Sequence, residues 1–323
     1  MIQQINTTQL TELHRHLDVS VRPATLLEFA IKQELLPQST QLQEFKDKLF
    51  LKHPLNSLEE VLAQFTLFQR IFQTPDALSR VAFEGVEDCY NEGIRRAELR
   101  FSPGFVAQYS RLSWETILEG FVTGLNQALA RYPEMKAGLI CIATRDYGVE
   151  EVSKTVEFYL NNTEDLIGLD LAGNETEYPC KMFEKAFAPA VKSKSPITIH
   201  AGEASGPDNI WEAIDLLSAK RIRHGIRCLE DPKLVKFLQK QKVCLEICPT
   251  SNWITQVCPT LEDHPLPKIL EKGIAATINT DDPGIFGITL PSEIEIVRSR
   301  LGLTEEQINT CFETAERFSF LPR

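Results

Sequence analysis

The 323-residue sequence contains no apolar run approaching the roughly 18 residues needed to span a bilayer, so no membrane-spanning helix is expected. Its first residues, MIQQINTTQL, lack a basic stretch leading into an apolar core, so no signal peptide is expected either. There is no internal repeat, no low-complexity tract and no Gly/Ser-rich linker, so residues 1–323 are read as one domain. Positive charge is in deficit. Lys and Arg number 34 against 45 Asp and Glu, giving a net charge of −11 and a pI near 5.2. That balance excludes bulk binding to nucleic acid or to anionic membranes and leaves a small-molecule partner. The eight cysteines are scattered, which suits reduced thiols and a cytoplasmic location rather than a disulfide framework. Cys244 and Cys248 form the one close pair, but C-x-x-x-C is not a zinc-ribbon knuckle, and both read as small buried apolar side chains. Nothing in the sequence sets an oligomeric state.

What is present is an alternation. Short apolar runs recur at 9–14 (QLTELH), 97–101 (AELRF), 138–144 (GLICIAT), 166–172 (LIGLDLA), 197–201 (ITIHA), 221–225 (RIRHG), 243–249 (VCLEICP) and 275–280 (AATINT). Several are rich in Ile, Val, Leu and Thr, as buried strands are. Helical patterns such as WETILEGFVTGLNQAL, DNIWEAIDLLS, DPKLVKFLQKQ and LPKILEKG lie between them. Pro207-Asp208 and Asp231-Pro232 mark helix starts, and Gly273 a helix end. Eight strand–helix alternations predict an α/β fold of the closed (β/α)8 TIM-barrel type. An open doubly wound sheet would carry a Gly-rich turn after its first strand, and HRHLDVSVRP is not one. Roughly 80 residues separate the first two runs, more than a crossover helix requires. The patterns ATLLEFAIKQELL, LEEVLAQFTLFQRIF and LSRVAFEGVEDCYNEG predict extra helices inserted after strand 1, capping the barrel mouth.

Histidine is scarce, with six in the chain: His14, His16, His53, His200, His224 and His264. Catalytic groups of such barrels gather at the C-terminal ends of the strands. His14 and His16 close strand 1, His200 strand 5 and His224 strand 6, and strand 8 runs into Asp281-Asp282. Any one of these alone reads as a structural histidine or a helix-capping aspartate. Their coincidence at strand ends points to a site. Residues i and i+2 of a strand share a face, so His14 and His16 can both enter the barrel while Arg15 points away. Three imidazoles and a carboxylate suit Zn2+, so His14, His16, His200 and Asp281 are assigned as its ligands. Glu203, on the loop leaving strand 5, can overhang the metal without ligating it and act as a proton donor. His224 could take a proton from the attacking water or stabilise it electrostatically. Asp282 is left free to bond a substrate.

HRHLD, LDLAGNE, HAGE, HG, CPTSN and NTDDP, with FEGVED (83–88) and ELRFSP (98–103), resemble in their order the adenosine deaminase family of the amidohydrolase superfamily. The resemblance covers almost the whole chain. It implies hydrolytic deamination of adenosine or 2′-deoxyadenosine to inosine or 2′-deoxyinosine and ammonia, with one zinc ion per chain. By motif, Glu203 would protonate purine N1, and His224 would assist the attack on C6. Asp282 would bond N7, the Gly173 N–H would reach N3, and Asp18 would contact the 5′-hydroxyl.

Three positions depart from the family pattern. Val19 replaces the glycine of HLDG; a β-branched residue resists φ > 0 and adds bulk beside the expected ribose site. Arg223 replaces a glycine before His224; strand alternation should turn it away from His224 in a structural role. Asn174 replaces the aspartate of LAGD and removes a charge near the expected N3 contact. These departures open alternatives within the chemistry: free adenine, a methylthioadenosine- or futalosine-type adenine nucleoside, or an N6-methylated adenine nucleotide. A nucleotide wants a cationic phosphate clamp, and the segment after strand 1 has no compact basic cluster. A binuclear amidohydrolase wants a bridging lysine at the end of strand 4, which LDLAGNE lacks. Cytidine-deaminase chemistry needs H-x-E with P-C-x-x-C, also missing. A non-catalytic binding protein predicts a lost ligand or acid, and none is lost.

Overall fold

The computed structural model describes residues 10–54 and 58–322. Eight strands run in parallel: β1 Leu10–His16, β2 Ile94–Phe101, β3 Lys136–Thr144, β4 Leu166–Ala172, β5 Thr198–Ala201, β6 Arg221–His224, β7 Cys244–Ile247 and β8 Ala276–Ile278. They pair in chain order as two four-stranded ladders, β1–β4 and β5–β8. Bridges Leu169–Ile197 and Arg15–Asp281 span the two seams of the (β/α)8 barrel. At the second seam the His16 N–H donates to Asp281 O at 2.9 Å and the Asp281 N–H donates to His14 O at 2.8 Å. The barrel therefore closes on three of the residues assigned as ligands.

Fifteen α-helices lie among the described residues. Four fall between β1 and β2, as the spacing predicted: α1 Pro23–Lys32, α2 Leu42–Leu49, α3 Leu58–Arg70 and α4 Pro75–Asn91. α4 is the crossover helix and packs on α6, Trp114–Arg131. The two approach closely because Gly124 has no side chain; a Cβ there would meet Ser79 O at 1.9 Å. The inserted helices reach the mouth. Gln69 of α3 donates to Asp18 O at 3.3 Å, and the Leu51 N–H, just past α2, donates to Ile285 O at 2.9 Å.

The helix starts follow local rules. Pro207 opens α9 (Pro207–Asp215), and the Asp231 side chain caps α10 (Pro232–Gln241) by accepting from the Lys233 N–H. Gly273 takes φ +70° just after α12 (Leu266–Glu271), where a left-handed turn ends the helix. Apolar faces of strands and helices form one continuous core, and all eight cysteines are buried free thiols. No helix among the described residues is long and apolar enough to cross a membrane.

Strand residues facing the barrel axis are charged. Glu98, Arg100, Asp170, Arg221, Arg223 and Glu246 are all fully buried. They pair with each other: Arg223 Nε to Asp170 Oδ2 at 3.0 Å, Arg223 Nη2 to Glu246 Oε2 at 3.2 Å, Arg221 Nε to Glu246 Oε1 at 2.6 Å, and Arg221 Nη2 to Glu98. Burying a charge is costly unless it is paired, and opposite charges alternate through the interior, although Arg223 Nε and Glu246 Oε2 make no hydrogen bond among the described residues.

Candidate active site

β1 ends at His16, so His14 and His16 sit two apart on one strand face and both enter the mouth. Arg15 points outward to Glu92, at 2.7 Å. His200 comes from β5, and Asp281 follows β8 with φ +63°, a left-handed conformation that costs an aspartate energy and marks a built position. One donor atom from each of His14, His16, His200 and Asp281 lies within 4.8 Å of every other. Asp281 Oδ1 is 3.0 Å from His14 Nε2 and 3.3 Å from His16 Nε2. His14 is completely buried, and neither of its ring nitrogens makes a hydrogen bond among the described residues. An orphaned buried imidazole facing a carboxylate and two further imidazoles fits a bound cation.

Electrostatics favour ligation. Burial holds His14 and His16 well toward the neutral imidazole that a metal binds. Burial alone would raise Asp281, but the facing His14, with His16 and His224, holds it well below the usual carboxylate range. Behind the ligands stand carboxylates. His200 Nδ1 meets Asp170 at 3.1 Å and His14 Nδ1 lies 3.7 Å from Glu246 Oε2. Such partners fix a ligand's ring orientation and turn its Nε2 inward.

Around this centre lie the other expected residues. Glu203 Oε2 is 3.6 Å from His224 Nε2; burial first, then Asp281 and Glu175, holds its carboxyl well above the usual range. Asp282 is raised by burial and by Asp281, Asp18 and Glu203, and its buried Oδ1 has no hydrogen-bond partner among the described residues. His224 takes φ +56° and is held neutral by burial, its pKa lowered to about 4. Asp18 lies in the 3-10 turn Leu17–Val19, accepts from the Ser102 N–H at 3.3 Å, and is pushed up to about 7 by burial. Gly173 follows directly on β4 at φ +109°, where a Cβ would sit 2.0 Å from Asp146 Oδ2, so only glycine fits.

All three departures resolve differently from expectation. Val19 is not among the residues with positive φ, and its side chain is buried in the core cluster. Valine is accommodated because the 3-10 turn asks for no left-handed residue. Arg223 does not turn away: the left-handed backbone of His224 breaks the alternation, and both side chains reach the interior. Asn174 does not face inward as a missing charge. It is exposed, and its Oδ1 accepts from the Thr176 and Glu177 N–H groups at 3.1 Å each, a turn-forming role.

Several residues escaped the sequence reading. Glu175 accepts from the N–H groups of Gly202, Glu203, Ala204 and Ser205 at 2.6–2.9 Å and so fixes the loop carrying Glu203. Ser251 donates to Asp281 Oδ2 at 2.7 Å. Cys248, read as merely apolar, places Sγ within 4.8 Å of donor atoms of His224 and Asp281, and burial keeps it a thiol. Asp170 and Glu246 also went unread, although charged residues within otherwise apolar strands could have signalled a polar barrel interior.

A family model for adenosine deaminase matches residues 10–323. The chain belongs to the adenosine deaminase family. It is 36% identical to an adenosine deaminase of Shigella flexneri, over 98% of this chain and 94% of that one. It is 35% identical to an adenosine deaminase of Escherichia coli over the same shares. Among solved structures, an adenine deaminase from Arthrobacter aurescens superposes with a TM-score of 0.88 at 26% identity, covering 97% of this chain and 94% of that one. In this adenosine deaminase family hydrolase a four-donor cluster lies at the barrel mouth, with Glu203 and His224 beside it.

Proposed function

We propose that the protein hydrolytically deaminates adenosine and 2′-deoxyadenosine, with Zn2+ held by His14, His16, His200 and Asp281, one ion per chain. The observation that carries the reading is the convergence of those four donors beside a carboxyl, Glu203, kept protonated by burial. When bound, the ion supplies Lewis acidity that brings the pKa of a water toward neutrality.

The chain's own residues do the rest. Attack at C6 costs ring aromaticity, so N1 must be protonated as the bond forms. Glu203 gives N1 its proton. Water adds its oxygen to C6; one of its protons restores Glu203 and the other reaches the amino group, which leaves as ammonia. His224 meets the attacking oxygen. Purine N7 is an acceptor, so Asp282 must donate, and its raised pKa keeps it protonated for that purpose. The Gly173 N–H reaches N3 and Asp18 the 5′-hydroxyl. Positioning and proton supply of this kind are each worth about 10²-fold or more.

Free adenine is a second reading, favoured by the likeness to the Arthrobacter adenine deaminase and by an Asp18 carboxyl already engaged by Ser102. Loss of absorbance near the adenosine maximum, followed in parallel with adenosine, adenine and 5′-modified adenosines, separates the readings. Turnover of adenosine ahead of adenine supports the first. Adenine ahead supports the second. No turnover of any 6-aminopurine removes both.

A further inference from the structure

The sixth histidine lies outside the cluster of catalytic groups, yet it is hydrogen-bonded into it. His264 is buried in the turn before α12, with its Nδ1 3.1 Å from the Leu266 N–H. A backbone N–H can only donate, so His264 Nδ1 is an acceptor and the proton of the neutral ring is on Nε2. That Nε2 lies 3.2 Å from Asn252 Oδ1. Asn252, on α11 (Pro249–Ile254), is fully buried, and its Nδ2 lies 3.0 Å from His224 Nδ1. An amide has one accepting end and one donating end. If His264 donates to Oδ1, the NH2 end faces His224, and His224 Nδ1 is the acceptor. The proton of the neutral His224 ring is then on Nε2.

That Nε2 lies 3.6 Å from Glu203 Oε2 and 3.7 Å from Asp281 Oδ2, and the ring centroids of His14 and His200 are 4.9 and 5.5 Å from that of His224. The opposite tautomer fails at a fixed point. It would turn Asn252 round and require His264 Nε2 to accept. His264 Nδ1 would then carry the proton and meet the Leu266 N–H, donor against donor. An unpaired buried donor is costly, which holds one tautomer over the other.

We infer that Leu266 N–H, His264 and Asn252 form a relay that fixes the tautomer of His224, making its Nε2 a hydrogen-bond donor to the attacking oxygen and not a base that removes its proton. His264 and Asn252 are positioning residues: they touch no reacting atom and act through His224. The inference rests on the deaminase reading only in placing the attacking oxygen at His224; the tautomer itself does not depend on it.

The test is long-range ¹H–¹⁵N NMR of the full-length, zinc-loaded protein labelled with ¹⁵N-histidine, with His224 and His264 assigned by His224→Gln and His264→Gln. Both rings should show a protonated Nε2 and an unprotonated Nδ1. Asn252→Asp offers His224 only acceptors, so its ring should switch to Nδ1–H and kcat should fall about 10²-fold with KM within a few-fold. His264→Gln keeps a donor for Asn252 and should retain most of the activity, whereas His264→Leu should not. A wild-type His224 protonated at Nδ1 would overturn the inference, as would an Asn252→Asp variant with unchanged tautomer and kcat. Should Asn252→Asp fail to fold, the wild-type spectrum decides. Should no aminopurine be turned over, the spectrum still reports the tautomer, so the two readings fail separately.

Discussion

Below the four candidate ligands the barrel is fully buried and held by ion pairs; above them, the groups that would meet a purine sit on turns and loops. The floor is Asp170, Glu246, Arg100 and Arg223, fully buried, with carboxylates set behind His200 and His14. The roof is Asp18, Gly173, Glu203 and Asp282, each on a segment that follows a strand. On the proposed function, the floor would fix where a cation and its water sit, and the roof which ring is presented to them. Floor residues are tied by ladder bonds and opposite charges, whereas roof residues are tied by neighbouring loops, as Glu203 is by Glu175. Changes to the floor should therefore cost metal and stability together, and changes to the roof should cost turnover or substrate choice alone.

The largest separation is expected at Glu203. Glu203→Gln should lower kcat by about 10³-fold, from loss of the proton donor, while zinc content by elemental analysis stays at the wild-type level. If activity survives, Glu203 is not the acid. Asp170→Ala should do the reverse, since it strips His200 of its partner and removes one of the two carboxylates facing Arg223, leaving Glu246 alone. Zinc affinity, read by chelator competition, should fall about 10- to 100-fold, and stability by about 3–5 kcal/mol. An unchanged zinc affinity would dissolve the distinction between floor and roof.

A third prediction uses pH. Glu293, buried and hydrogen-bonded to Thr250, is pushed up to about 7 by burial. The folded chain thus binds a proton at this site between about pH 4.5 and 7 that the unfolded chain has released. The stability it contributes is fully present below about 4.5 and is lost as pH rises through about 7. Glu293→Gln should flatten that part of the denaturant stability profile; a profile of wild-type slope would refute the assignment. The smallest effect is expected at Val19, buried in the core and not at φ > 0. Val19→Ala should cost about 2 kcal/mol of stability and leave the order of substrate preference unchanged. A changed order would put Val19 in the roof.

The candidate ligands were the most legible part of the site. The i, i+2 spacing of His14 and His16 and the strand-end places of His200 and Asp281 follow from strand geometry, and the eight strands fell where the apolar runs lie. What could not be read had long-range or backbone causes. The left-handed φ of His224 defeats the alternation used to place Arg223. Glu175 reaches 27 to 30 positions along the chain to hold the Glu203 loop. Asn252 joins His224 to His264 across 28 and 12 positions, a link no local pattern marks. The concern over Val19 assumed a left-handed turn that the 3-10 geometry does not use.

The central claim is one catalytic metal on this floor and a 6-aminopurine under this roof. Titrating metal-stripped protein with zinc while following the absorbance loss of adenosine tests both together. Activity should rise in proportion to added zinc and break at one equivalent per chain. A break at two equivalents, full activity without added metal, or no turnover at any zinc level would contradict the account.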